Sequence, residues 1–69
     1  MFLSDRGAPQ ATALERWREA ASVVSLRWAA FVAAEPVTRQ WTFASYVAAL
    51  DAEDAAAAEL VALSLRLVA

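Results

Sequence analysis

The chain has no cysteine and no histidine, one glycine, two prolines, and no basic residue other than six arginines. Without cysteine there is no disulfide, and without cysteine or histidine there is no ordinary zinc site, so two staples of small domains are excluded. The same absences, together with that of lysine, remove nucleophilic catalysis of the Ser–His–Asp and Cys–His kinds, which needs a base beside the nucleophile. The five serines, Ser4, Ser22, Ser25, Ser45 and Ser64, fall mostly on helical pattern, where serine is solvated or bonded to its own backbone. A single glycine leaves no glycine-rich phosphate loop.

An excess of positive charge is also missing. Six basic residues against eight acidic ones give a net charge of −2. Arg16, Arg18 and Arg27 are interleaved with Glu15 and Glu19, so the basic patch that supplies most nucleic-acid affinity is absent and no nucleic acid is expected as a partner. Lysine, asparagine and isoleucine do not occur, whereas alanine occurs 19 times. Codon composition then points to a high-GC bacterial or phage genome, which concerns source and not function.

Long hydrophobic runs are lacking too, although 61% of residues are hydrophobic and the mean hydropathy is +0.41. A bilayer-spanning helix needs about 20 predominantly apolar residues. The longest stretch without a charge runs from Gln40 to Leu50, and Ala20–Ala34 is interrupted by Arg27. Alanine supplies most of the excess and favours helix more than lipid. The start, Met1 to Arg6, lacks the basic region and long apolar core of a signal peptide. A cytoplasmic protein is expected, with a membrane-associated helical peptide as the third of three readings.

What remains is helix. The first ten residues, with Gly7 and Pro9, read as an irregular N-terminal arm whose Phe2 and Leu3 either fold back or fray. From residue 11 to 69 the pattern describes one helical-hairpin domain, with helix 1 over about 11–35 and helix 2 over about 37–68, divided by Pro36. Thr12 with Glu15 has the form of a capping box, Pro9 suits a first turn, and Thr38 stands where helix 2 needs an N-cap. The short connection makes the helices antiparallel neighbours.

In helix 1, Leu14, Trp17, Ala21, Val24, Trp28 and Phe31 recur at alternating spacings of three and four, the seam of a packed helix. In helix 2 the bulky residues Phe43, Val47, Leu50, Ala57, Val61, Leu65 and Val68 share one stripe, interrupted by Asp54, and the small residues Ala48, Ala52, Ala55, Ala56 and Ala62 share another. Trp28 and Phe31 are expected to meet Trp41, Phe43 and Tyr46 at the turn. Trp17 and Trp41 are the candidate anchors for a partner, since tryptophan is enriched at binding hot spots. After Leu60 apolar residues surround the helix on nearly all sides, as in a helix buried within a larger assembly.

Asp51, Glu53 and Asp54 form the one acidic cluster, with Glu59 one to two turns further on. Di-iron sites of helical bundles pair such carboxylates with histidine, which is absent, so the cluster reads as a solvated patch, with no metal or cofactor expected. Asp54 stands apart as a charge on the bulky stripe. Buried, it would need an arginine from a neighbouring helix and could fix the register of an assembly.

The expected fold is therefore all-α: a long antiparallel helical hairpin completed into a four-helix bundle by oligomerisation or by a partner. One hairpin covers one face of each helix, and a chain of this size buries only about 60% of its unfolded surface. The expected function is that of a non-enzymatic interaction or assembly protein, partnered by itself or by a larger protein. The alternative is a small regulator or inhibitor, antitoxin-like or phage-encoded, that occludes a protein target.

Overall fold

The computed structural model of the protein describes residues 8–68, with side chains through Arg66. It consists of two helices, α1 (Ala8–Val32) and α2 (Arg39–Val68), and contains no strand among the described residues. They form an antiparallel hairpin, since the start of α1 lies beside the end of α2. Gln10 Nε2 donates to Ser64 Oγ at 2.7 Å, and Arg16 Nη1 pairs with Glu59 Oε2 at 3.1 Å. Near the turn, the Trp28 and Tyr46 rings meet at a tilt.

Both helices depart from their expected limits. α1 begins at Ala8 rather than residue 11, which takes 8–10 out of the expected arm; the rest of that arm, including Phe2 and Leu3, lies outside the described residues. Pro9 sits in the first turn, where its missing N–H costs no hydrogen bond. Thr12 is consequently a full turn inside the helix, so it does not cap it and no Thr12–Glu15 capping box forms. At the other end α1 stops at Val32, three residues before the expected limit. Its last turn tightens, with Ala34 N–H donating to the Phe31 carbonyl at 3.1 Å, and the residue before Pro36 is disfavoured in α geometry.

A turn then spans Glu35–Thr38, closed by Thr38 N–H to the Glu35 carbonyl at 3.0 Å. Pro36 occupies its second position, for which proline's fixed φ is suited. The Thr38 carbonyl accepts the N–H of Thr42 at 3.1 Å, as an N-cap residue's does. Its hydroxyl, however, donates back to the Glu35 carbonyl at 3.2 Å instead of accepting from the helix. Thr38 therefore closes the turn, and α2 starts at Arg39, two residues after the expected boundary.

The hairpin is a thin plank, with principal extents of 53 × 22 × 11 Å. Its core is correspondingly slight. Among the described residues only Ala13 (1% exposed) and Ala49 (7%) are buried, and no large side chain is fully enclosed. A layer one helix thick has a seam and two broad faces, and the seam is too narrow to bury the larger side chains.

Candidate functional site: an unpartnered apolar face

Along α1 the inward stripe overlaps the expected seam, with Ala13 as its buried centre. Leu14, Trp17, Ala21, Val24 and Phe31 are half-buried, with Trp28 more open at 48%. Gln10 and Ala13 extend or thicken this stripe and were not part of the expected seam.

In helix 2 the seam runs between the bulky and the small-residue stripes. Its line follows Thr42, Tyr46, Ala49, Glu53, Ala56, Leu60 and Leu63, all half-buried or buried, again at spacings of four and three, with Ser45 and Ser64 half-buried beside it. The bulky stripe lies beside this seam and not on it: Phe43 is 49% exposed, Val61 57% and Leu65 62%, and Val47 is open as well. Leu50 and Ala57 are half-buried at the border, while the side chain of Val68 lies outside the described residues. The physical reason is close approach. Ala49 and Ala56 on α2, facing a seam that holds Ala13 and Ala21, let the two helices come together, whereas a stripe of Phe, Val and Leu would hold them apart. The small-residue stripe splits likewise: Ala56 is half-buried at the seam, and Ala48, Ala52, Ala55 and Ala62 are exposed.

At the turn end the expected aromatic cluster forms. Ring centroids are 5.1 Å apart for Trp28–Tyr46, 5.4 Å for Phe31–Phe43 and 5.5 Å for Trp28–Phe31, all tilted. These separations lie in the range aromatic pairs prefer. Trp41 does not join it; its indole is 64% exposed. Of the two candidate anchors, Trp17 is thus half-buried within the seam and Trp41 is open.

Among the described residues, six of the nine exposed large apolar residues share one broad face; Val37 is in the turn, Trp41 lies on the opposite side and Leu26, 68% exposed, lies on the back of α1 away from the seam. At about 100° per residue, Phe43, Val47, Val61 and Leu65 sit roughly a quarter-turn or more past the centre of the α2 seam, and Leu14, Ala21, Trp28 and Val32 lean in the same rotational sense from that of α1. Two antiparallel helices are related by a two-fold axis perpendicular to their common plane, which preserves faces, so equal rotations from the seam reach the same side of the plank. That side is apolar from Trp28 and Phe43 to Leu65, with the exposed Arg39 at its turn end. The opposite side carries the Arg16–Glu59 ion pair, with side chains 60% and 45% exposed, and Trp41, Ala48 and Ala52.

The acidic cluster does not converge. Asp51 and Asp54 are exposed, and Glu53, half-buried, is the carboxylate in the α2 seam. Asp54 stands at the rim of the apolar face rather than buried within it, and takes part in no ion pair among the described residues. Three carboxylates that could hold a metal do not come together among the described residues, and none of the described helices is long and apolar enough to cross a membrane. Arg18 pairs with Glu15 on its own helix at 3.0 Å, as the i,i+3 spacing suggests. Arg16 reaches across to Glu59 instead of along α1 to Glu19. No family model, curated protein or solved structure matches this chain.

Proposed function

We propose that this protein is a non-enzymatic helical assembly protein of the cytoplasm, whose hairpin forms half of a four-helix bundle completed by a second copy. The observation that carries this reading is the apolar face: Trp28, Phe43, Val61 and Leu65 are each about half exposed or more on one side of a plank with almost no core of its own. Contiguous exposed apolar surface of this kind marks an interaction site. A plank of 53 × 22 Å offers on the order of 1,000 Å² on each broad face, against about 800 Å² per partner in a standard stable interface. Isolated single-layer hairpins are marginal because a small chain buries too little, and pairing two such layers supplies the missing core.

The test is native mass by size-exclusion chromatography with light scattering. The protein should run at twice its 7.4 kDa. Val61→Glu and Leu65→Glu should each shift it toward the monomer, and Ala52→Glu on the opposite face should not. A folded monomer at tens of micromolar would overturn self-assembly. The exposure of Trp41 favours the small regulator as the second reading, and a folded monomer is the state in which it would take over, with Trp41 as anchor.

A further inference from the structure

We infer that the two copies pair face to face with their turns at the same end, related by a two-fold axis along the length of the plank, and that Arg18 of each copy pairs with Asp54 of the other. This rests on the self-assembly reading and specifies its geometry. The observation is the placement of charge around the apolar face.

Among the described helical residues, two charges flank that face: Arg18 on the outer edge of α1 and Asp54 on the outer edge of α2. Each lies roughly 120° past its own seam. Of the nearest other charges, Glu53 belongs to the α2 seam, and Arg39 is engaged at the turn, its Nη2 donating to the Ala34 carbonyl at 3.5 Å. The contacts Gln10–Ser64, Arg16–Glu59, Trp28–Tyr46 and Phe31–Phe43 hold one register, in which each step up α1 matches one step down α2. That register puts Arg18 within about 4 Å of the level of Asp54, at 1.5 Å per residue. The face is therefore bordered by a positive charge on one edge and a negative charge on the other, at nearly the same height.

Two symmetric ways of closing the face against a second copy exist, and they treat these charges oppositely. With the axis along the plank, α1 of one copy lies over α2 of the other at unchanged height, so Arg18 meets Asp54 of the second copy, twice per dimer. With the axis across the plank, α1 lies over α1 and α2 over α2 in reverse. Asp54 falls near the midpoint of α2 (Arg39–Val68), so full overlap then sets Asp54 against Asp54, and brings Arg18 close to Arg18. Like charges across an interface are penalised and opposite charges fix register. The lengthwise arrangement also stacks the two aromatic turn clusters on each other. The Arg18–Glu15 pair offers little resistance to a change of partner, since its side chains are 60% and 70% exposed and exposed pairs are weak.

The experiment uses the full chain. Because it contains no cysteine, Val37→Cys at the exposed turn gives one spin-label site per copy. Pulsed dipolar spectroscopy then reads the distance between labels in the dimer. Adjacent turns put the labels within about 30 Å, given interaxial spacings of 8–10 Å, whereas the crosswise dimer separates them by nearly the 53 Å length of the plank. In parallel, Arg18→Asp and Asp54→Arg should each raise the dimer Kd roughly tenfold at low salt, and the double variant should return to within about threefold of the parent. A dimer with distant labels, or a double variant weaker than either single one, overturns this geometry while leaving self-assembly standing. A monomeric labelled protein overturns both.

Discussion

Replacing Ala49 with leucine tests the placement of the helix 2 seam. Ala49 is 7% exposed and lies where α2 meets α1. An isobutyl group in place of a methyl would gain about 0.8 kcal/mol per buried CH₂ if there were room, but a close-packed seam has none, and overpacking costs about 1–3 kcal/mol. Alanine and leucine are both strong helix formers, so propensity does not decide the outcome. Ala48→Leu adds the same group on the exposed side and should stay within about 0.5 kcal/mol of the parent. For 69 residues, the usual 0.05–0.15 kcal/mol per residue implies a total of about 3–10 kcal/mol, so the Ala49 effect is a large fraction of it. Urea unfolding followed by far-UV circular dichroism, at one fixed protein concentration, reads both variants. If Ala49→Leu is neutral or stabilising, the seam does not run through Ala49, helix 2 is rolled with its bulky stripe against helix 1, and the reasoning fails.

Other expectations follow from the contacts. Trp28→Ala should cost about 2–3 kcal/mol, below the 3–5 kcal/mol of a fully buried tryptophan because the indole is 48% exposed, and should flatten the near-UV circular dichroism of the turn cluster. Arg16→Ala should cost no more than about 1 kcal/mol, and a double-mutant cycle with Glu59→Ala should show a coupling that fades in roughly 1 M salt, as for an exposed ion pair. Pro36→Ala should lower the urea midpoint by the equivalent of about 0.4–1 kcal/mol without loss of helix content, because proline in a compatible turn acts by restricting the unfolded chain.

Much of this architecture was legible in the sequence. The alternation of three and four through Leu14, Trp17, Ala21, Val24, Trp28 and Phe31 located the inward stripe of α1, and the pairing of Trp28 and Phe31 with Phe43 and Tyr46 followed from a short antiparallel turn. In helix 2 the sequence offers a bulky stripe and a small-residue stripe, and the seam falls between them. That seam, Thr42, Tyr46, Ala49, Glu53, Ala56, Leu60 and Leu63, has the same alternating spacing in plain view. It contains a glutamate, a threonine and two alanines, and a scale that rewards size and hydrophobicity passes over it. Close approach of two backbones selects small residues at the centre and leaves the large ones to the flanks. Asp54 reads from the sequence as a charge on the bulky stripe, but its exposed position on the rim, level with Arg18, depends on the register between helices, which one helix's sequence does not contain. The helix boundaries slipped for a related reason: caps compete, and Thr38 uses its hydroxyl to close the turn.

The most direct test of the claim that two hairpins share one core is the dependence of unfolding on protein concentration. Urea midpoints would be measured by circular dichroism over a hundredfold range of concentration, from about 1 to 100 μM. If folding is coupled to pairing, apparent stability should rise by about 1.4 kcal/mol for each tenfold increase, so the midpoint climbs steadily. A midpoint that stays fixed across that range, with full helicity throughout, would mean that the single plank is stable on its own and that its apolar face is not completed by a second copy.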